Sequence, residues 1–342
     1  MSLRPDSQRP PKVSFINRLP IEGFYSLEGY FQRISAALAS LGVSVDSHTS
    51  PYPSRGLIPR LKIARFASRH QADITHITGD IHFAALATDP ERTVVTVADC
   101  GRLHQVGGLK RELLRQIWFE RPLTRVAAVT VISQAVKEDL LTWVPTLEPA
   151  RVHVVPVSIS PRFTYSPKPF NRDHPRILQV GSTPNKNIPR LAAAMRGMNA
   201  TLVLIGKLNQ ELEQVLAEHE IQVENHRDIS EQQVVELYRS ADLLAFTSTL
   251  EGFGMPILEA QAIGRPVVTS NCTSMPEVAG AGALLVDPYS VDSIRAGLLR
   301  VIEAADEREL LIARGQDNSQ RFVADTIAAQ YLEIYQSLSP LG

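Results

Sequence analysis

The sequence predicts an α/β protein of two doubly wound domains, and three observations carry that prediction. Short apolar runs alternate with helical patterns nearly throughout, as parallel strands joined by crossover helices require. The alternation restarts at residues 176–180, after a proline-broken stretch holding Pro156, Pro161, Pro167, Pro169 and Pro175. The 342-residue chain is long for one core and comfortable for two. Each half opens strand, turn, helix, so two Rossmann-like domains facing an interdomain cleft are expected, with ligands bound outside the carboxyl ends of the strands.

Taken in order, residues 1–12 are polar and proline-rich and are expected to form a disordered N-terminal tail. The first domain, 13–160, opens on a strand at 13–16, followed by a long turn and a helix over 29–41. Runs rich in Val, Ile and Thr at 74–77, 93–97, 128–132 and 152–155 supply its further strands. Residues 161–175 read as the linker. In the second domain, 176–320, strands are expected at 176–180, 202–205, 243–246, 266–269 and 283–286. A helix is expected over 257–263, and a terminal one over 322–336 in the closing segment 321–342.

Composition narrows the class. Apolar residues make up 44% and charged residues 21%, the proportions of an ordinary globular chain. No run is long enough to span a bilayer, and residues 1–12 lack the apolar core of a signal peptide, so a cytoplasmic location is expected. Cys100 and Cys272 fit neither a disulfide framework nor a metal cluster, and no metal ligand set or cofactor is expected. Residues 1–160 carry 19 Lys and Arg against 14 Asp and Glu, a net +5; residues 161–342 carry 16 against 22, a net −6. Different partners for the two halves follow from that asymmetry. Nucleic acid is excluded as a partner, since no helix-turn-helix, zinc spacing or aromatic-basic motif accompanies the basic half.

The most informative segment runs from Ser248 to Ala260. It holds Glu251 and Glu259 around the turn Gly252-Phe253-Gly254-Met255-Pro256. The glycines let backbone pass close to a ligand, and the helix opening offers unpaired N–H groups to an anion. Pro256 suits the first helical position, where its missing N–H costs nothing. Two carboxylates beside backbone donors suit a ligand with hydroxyls and phosphates, such as a nucleotide-sugar. Spacing alone fits equally a buried helix with one ordinary solvent-facing glutamate.

This segment resembles the signature of the retaining nucleotide-sugar glycosyltransferases of family 4, which have the GT-B fold. Gly264-Arg265-Pro266-Val267-Val268-Thr269-Ser270, Ser274-Met275-Pro276-Glu277-Val278-Ala279-Gly280 and Leu284-Leu285-Val286-Asp287-Pro288 follow in that family's order. Thr78-Gly79-Asp80-Ile81-His82 and Pro184-Asn185-Lys186-Asn187 bring it nearest to the bacterial O-antigen and polysaccharide mannosyltransferase-like branch. The likeness covers residues 13–335. It implies that the terminal helix crosses back to the first domain.

The resemblance also assigns roles. Lys186 would neutralise charge on the departing nucleoside diphosphate, in a donor turn shared with Gly181, Thr183 and Asn185. Asn185 stands where relatives often carry a second cation. Glu259 would accept from the ribose hydroxyls, and Glu251 would contact the transferred sugar. Amides from Gly252 to Met255, including Gly254, would hold the sugar or its phosphate, with Phe253 as scaffold. Ile229, in Arg227-Asp228-Ile229-Ser230, would line the base, although that stretch also reads as a surface turn. In the first domain, Gly29 at a helix start resembles the glycine that admits phosphate and acceptor. The family's His-Asp pair is here Ala98-Asp99, which removes an imidazole contact to the donor sugar. His82 and His104 are the two histidines that could stand in, and each reads equally as structural. Asp99 would orient an acceptor hydroxyl, or simply belong to a strand-end turn.

Residues 55–70 and 109–125 are basic and amphipathic. They could lie on anionic lipid, giving a peripheral membrane contact through the N-terminal domain, or pack inward with a basic outer face. The expected function is metal-independent, retaining transfer of a hexose from a nucleoside diphosphate sugar, GDP-mannose as first guess, to a glycan or lipid-linked acceptor in polysaccharide synthesis. The alternatives are a non-catalytic nucleotide-sugar binder and a GT-B epimerase or phosphorylase.

Overall fold

The computed structural model describes residues 10–20 and 26–338. Most of the expected N-terminal tail, residues 1–9, lies outside the described residues. The chain divides into two compact units: one ends at Ser158 and resumes at Ala324, and the other is Ile159–Val323.

The first unit has six strands: β1 Val13–Asn17, β2 Val45–Thr49, β3 Ile74–Ile77, β4 Thr93–Val97, β5 Ala128–Val131 and β6 Val152–Val154. All pair in parallel in the order β2-β1-β3-β4-β5-β6. Helices α1 Ser26–Ser40, α2 Leu57–Arg69, α3 Gly101–Gln105, α4 Gly108–Leu114, α5 Arg121–Leu123 and α6 Gln134–Trp143 connect them. Strands β3, β4 and β5 are buried at every residue, which is why they read as runs rich in Val, Ile and Thr. Edge strand β2, Val-Asp-Ser-His-Thr, buries no residue fully and has no such run, so the sequence pattern does not mark it.

The second unit has β7 Arg176–Val180, β8 Thr201–Ile205, β9 Gln222–His226, β10 Leu243–Phe246, β11 Val267–Ser270 and β12 Leu284–Val286. Again all are parallel, in the order β12-β11-β10-β7-β8-β9. Its helices are α7 Ile188–Met195, α8 Gln210–Glu218, α9 Glu231–Ser240, α10 Met255–Ile263, α11 Met275–Ala279, α12 Val291–Glu303 and α13 Ala305–Ser319. From β7 the order proceeds one way through β8 and β9, and the other way through β10, β11 and β12. The reversal between β7 and β10 is the switch point at which such sheets admit ligands. Ile177, Leu202, Leu243 and Val268 from the strands, with Leu191, Ile294 and Leu298 from α7 and α12, form the core beneath it.

Residues 161–175, expected as a linker, pack on the second unit instead. Phe163 is buried with its ring edge against Tyr238, the Lys168 ammonium meets Asp242 at 2.7 Å, and the Ser166 N–H donates to Ile263. Proline content here marks an irregular path that stays largely exposed but is anchored to the second unit at these points.

The closing helix α14, Ala324–Leu338, belongs to the first unit and packs on α1. Tyr331 and Tyr335 are fully buried there. Tyr331 Oη lies 3.1 Å from Tyr30 Oη, and His76 Nδ1 lies 2.6 Å from Tyr335 Oη. The other imidazole nitrogen meets Thr96 Oγ1 at 2.7 Å, and Thr96 in turn meets Thr130. A single buried polar chain therefore ties α14 to β3, β4 and β5.

Burial holds the His76 pKa down to about 3, against 6.5 for a free imidazole. The unfolded chain takes up this proton near 6.5 and the folded one does not, so this group's contribution to stability is intact above 6.5 and is lost as pH falls toward 3. The slope is at most about 1.4 kcal/mol per pH unit. Thermal melts from neutral to mildly acidic pH should show the His76→Gln variant losing less stability per pH unit than the parent, by up to one proton's worth. Identical slopes in the two proteins would refute this account.

Candidate functional site

At the switch point, the turns after β7 and β10 lie against each other. The first begins at Gly181, in the left-handed region at φ 90°, where an added Cβ would sit 2.6 Å from Lys186 Cε. Only glycine lets the lysine stem fold back over the turn. A 3-10 turn, Pro184–Lys186, ends at Asn187, itself left-handed at φ 60°. The buried Asn187 amide donates to Thr247 O at 2.9 Å and Pro288 O at 2.7 Å. It thereby pins the turn to the ends of β10 and β12 just before α7 begins.

The geometry that results joins two residues proposed for separate roles. Lys186 Nζ lies 2.6 Å from Glu251 Oε1 and 4.7 Å above the centre of the Phe246 ring. The two side chains are 16% and 14% exposed, so the pair is largely withdrawn from water. Asn185 Nδ2 donates to Leu250 O at 2.8 Å and reaches Glu251 Oε1 at 3.3 Å, while Thr249 N–H donates to Asn185 O. Lys186 therefore does not point freely at a ligand. Its ammonium is shared with the carboxylate expected to meet the sugar.

Beyond Glu251, Ser274 Oγ donates to Glu251 O and Phe253 O, holding the Gly252-Phe253 turn. Phe253 is buried and meets Phe322 edge-on at 5.9 Å. Gly254, at φ 118°, precedes α10, and no side chain caps that helix start. Met255 and Pro256 open α10, leaving backbone N–H groups at the carboxyl edge of the sheet. One helical turn further, Glu259 Oε2 accepts from Tyr238 Oη at 2.6 Å. Tyr238 is fully buried, and its pKa is pushed well above the ordinary phenol value by burial and then by the Glu259 charge. It stays a hydroxyl and holds one carboxylate oxygen in place. Ile229 is half-buried just before α9, and Thr183 Oγ1 is turned onto Asn185 Oδ1 at 2.6 Å.

Three buried polar atoms at the ends of these strands have no hydrogen-bond partner among the described residues: Gln179 Oε1, Thr247 Oγ1 and Ser248 Oγ. Buried hydroxyls and amides are normally satisfied, so such atoms mark where a ligand or water would bond. None of them, nor Tyr238 and Asn187, was singled out from sequence as a site residue. Tyr238 is three residues beyond Val235 on the apolar face of α9, which reads as plain core.

The first-unit residues are more scattered. Arg18, after β1, and Arg102 meet Asp80, after β3, at 3.4 and 3.3 Å. Asp99 Oδ1 accepts from Gly101 N–H at 2.8 Å and so closes the turn before α3. His104 Nε2 is held by Asp139 at 2.8 Å, on a surface beside Trp143. His82 is a core residue: its Nδ1 lies 3.2 Å from Trp118 O, its ring packs on Phe119, and burial lowers its pKa. A buried imidazole between backbone carbonyl groups cannot replace a missing sugar contact at the surface. Gly29 lies in the first turn of α1, which begins at Ser26; residues 21–25 lie outside the described residues.

Comparison with known proteins follows the division of the chain. Residues 28–163 match the family described as Glycosyltransferase Family 4, and residues 164–318 match Glycosyl transferases group 1. O-antigen chain mannosyltransferase B of Escherichia coli is 41% identical over 102 residues, 30% of this chain and 27% of that protein. The MMP alpha-(1->4)-mannosyltransferase of Mycolicibacterium hassiacum is 29% identical over 252 residues, 64% of this chain and 60% of the relative. The chain thus spans less than two thirds of either relative's length. Among solved structures, a sucrose-phosphate synthase from Thermosynechococcus elongatus superposes with a TM-score of 0.77 at 17% identity, covering 96% of this chain and 99% of that one. An Anabaena protein solved with UDP and glucose gives 0.75 at 19%, covering 96% and 100%.

Asn187 offers a test of how the lysine turn is held. Asn187→Gly keeps the left-handed backbone but loses both amide bonds, whereas Asn187→Ala loses the bonds and adds backbone strain. Denaturant melts should show a loss of about 1–3 kcal/mol for the glycine variant and roughly 1 kcal/mol more for alanine. Parent-like stability in both would mean the turn is fixed by other contacts.

Proposed function

The chain belongs to glycosyltransferase family 4, and from that premise we propose that it transfers a hexose from a nucleoside diphosphate sugar to a hydroxyl of a glycan or lipid-linked acceptor. The observation that carries this reading is the Lys186–Glu251 pair at the switch point, beside the uncapped start of α10. Mannose is the favoured sugar, on the strength of the mannosyltransferase relatives. GDP is the favoured carrier.

In the proposed reaction the bond between the anomeric carbon and the diphosphate oxygen breaks. The acceptor oxygen bonds to that carbon on the same face, and the acceptor proton passes to the departing phosphate oxygen. Configuration is retained. Lys186 and the amides at the start of α10 stabilise the charge that grows on the diphosphate. No metal ion is assigned a part, so chelation with EDTA should leave the rate unchanged. Glu259, held by Tyr238, accepts from the ribose, and Glu251 meets the transferred sugar. A double displacement with Glu251 as nucleophile is the alternative mechanism.

Ala98 favours one competing reading, a nucleotide-sugar binder without turnover. A thermal-shift panel of GDP, UDP, ADP and dTDP with their sugars identifies the donor, because a ligand at a hundred times its Kd adds about 2.7 kcal/mol to the folded state. Donor consumption with candidate acceptors then separates enzyme from binder. Tight binding with no turnover across a broad acceptor panel would sink the transferase reading.

For the enzyme, Glu259→Ala should raise the donor KM by about tenfold or more, the effect of losing one charged hydrogen bond. Lys186→Ala should mainly lower kcat, by roughly a hundredfold, as loss of a transition-state donor does. Unchanged kinetics in both variants would remove these assignments. Ala98→His should raise activity if the missing imidazole limits the rate; no gain would show that another group has taken its place.

A further inference from the structure

We propose that the face of the first unit formed by α2 and α4 docks on an anionic lipid surface. Leu57, Ile58 and Leu61 of α2 and Leu109 and Leu113 of α4 are each between 62% and 89% exposed. Large aliphatic side chains this exposed, gathered on two short helices, form the kind of patch that marks an interaction site. The two stretches meet at one point: the Arg60 guanidinium of α2 stacks 4.4 Å from the centre of the Trp118 ring, and Trp118 lies in the π-helical turn Arg115–Glu120 that continues α4.

The spacing in α2 sets what accompanies the aliphatic residues. Ile63 and Ala67 are buried and define its inward side. Positions 57, 58, 61, 62, 65 and 69 fall together on the opposite arc, so Lys62, Arg65 and Arg69 share the outward face with the leucines and isoleucine. Residues 47–72 contain no Asp or Glu. Arg55, Lys62, Arg65 and Arg69 make no ion pair among the described residues, so their charge is uncompensated by the protein. Aliphatic side chains and unpaired cations on one surface complement acyl chains beneath anionic headgroups. A nucleic acid would call for stacking aromatics in place of leucine and isoleucine. No described helix is long and apolar enough to cross a membrane, so the contact is peripheral. This inference stands on exposure and charge and is independent of the transfer reaction.

The test is co-sedimentation of the full chain with vesicles of phosphatidylcholine alone and of phosphatidylcholine mixed with phosphatidylglycerol. Partitioning onto the mixed vesicles should exceed that onto neutral ones by about tenfold or more, and should fall as salt is raised. The triple variant Leu57→Ser/Ile58→Ser/Leu61→Ser and the double variant Lys62→Glu/Arg65→Glu should each lose about tenfold in partitioning. Both should keep the parent's melting temperature. Leu109→Ser, on the other helix, gives an independent check of the same loss. Equal partitioning onto both vesicle types, or onto mixed vesicles by parent and variants, would overturn the proposal. So would a dimer in analytical ultracentrifugation that the triple variant abolishes, since the patch would then be a face for a second copy.

Discussion

Everything at the candidate site follows from where the strand order of the second sheet reverses. In a parallel sheet every strand-to-helix turn emerges on the carboxyl edge, and neighbouring turns normally run the same way. Between β7 and β10 the following helices leave in opposite directions, so the two turns meet with no helix between them. That is how Lys186 and Glu251, 65 positions apart in the chain, come within 2.6 Å. Gly181 supplies the room for the lysine stem, and Asn187 supplies the left-handed bend and the two amide bonds that hold it.

The pairing changes what the lysine is expected to do. An isolated ammonium so far withdrawn from water carries a large desolvation cost, which a neighbouring carboxylate offsets. Lys186 is thus held in one direction, and its ammonium has three donors, of which Glu251 takes one. An anion arriving at the start of α10 can engage the remaining donors without separating the pair. Glu251 Oε2 makes no hydrogen bond among the described residues and stays available to a hydroxyl. The two roles read separately from sequence are therefore one electrostatic unit: a carboxylate that orients a cation, and a cation that fixes a carboxylate.

Much of this was legible in the residues, for a physical reason. Strands buried on both faces are largely apolar, so β3, β4, β7 and β10 stand at the positions the runs mark. Edge strands are bound by no such requirement. β9, Gln-Val-Glu-Asn-His, is recruited by pairing with β8 and has no apolar run of its own. The turn after β7 and the two-glutamate segment were legible because glycine, proline and charge stand there in a fixed order. The Tyr238–Glu259 bond and the Asn187 clamp were not, since each depends on a partner in another element. His82 shows the opposite failure: a histidine after a strand end invites a functional reading, yet its turn folds inward.

Several buried polar groups are satisfied wholly by the protein and serve its architecture. His76 has both nitrogens engaged and its charge suppressed, so its chain of hydrogen bonds holds α14 to the sheet. The cavity of about 300 Å³ lined by Lys168, Asp242 and Arg265 looks polar, but the Asp242 oxygens accept from Lys168, Asn171 and Arg176. Arg265 spends its donors on the carbonyls of Tyr238, Gly264, Ser166 and Arg239. That cavity lies at the amino ends of β10 and β11 and ties residues 161–175 down. On the carboxyl edge Gln179, Thr247 and Ser248 each bury a polar atom that no described residue pairs, as Arg176 Nε at the amino end of β7 also does.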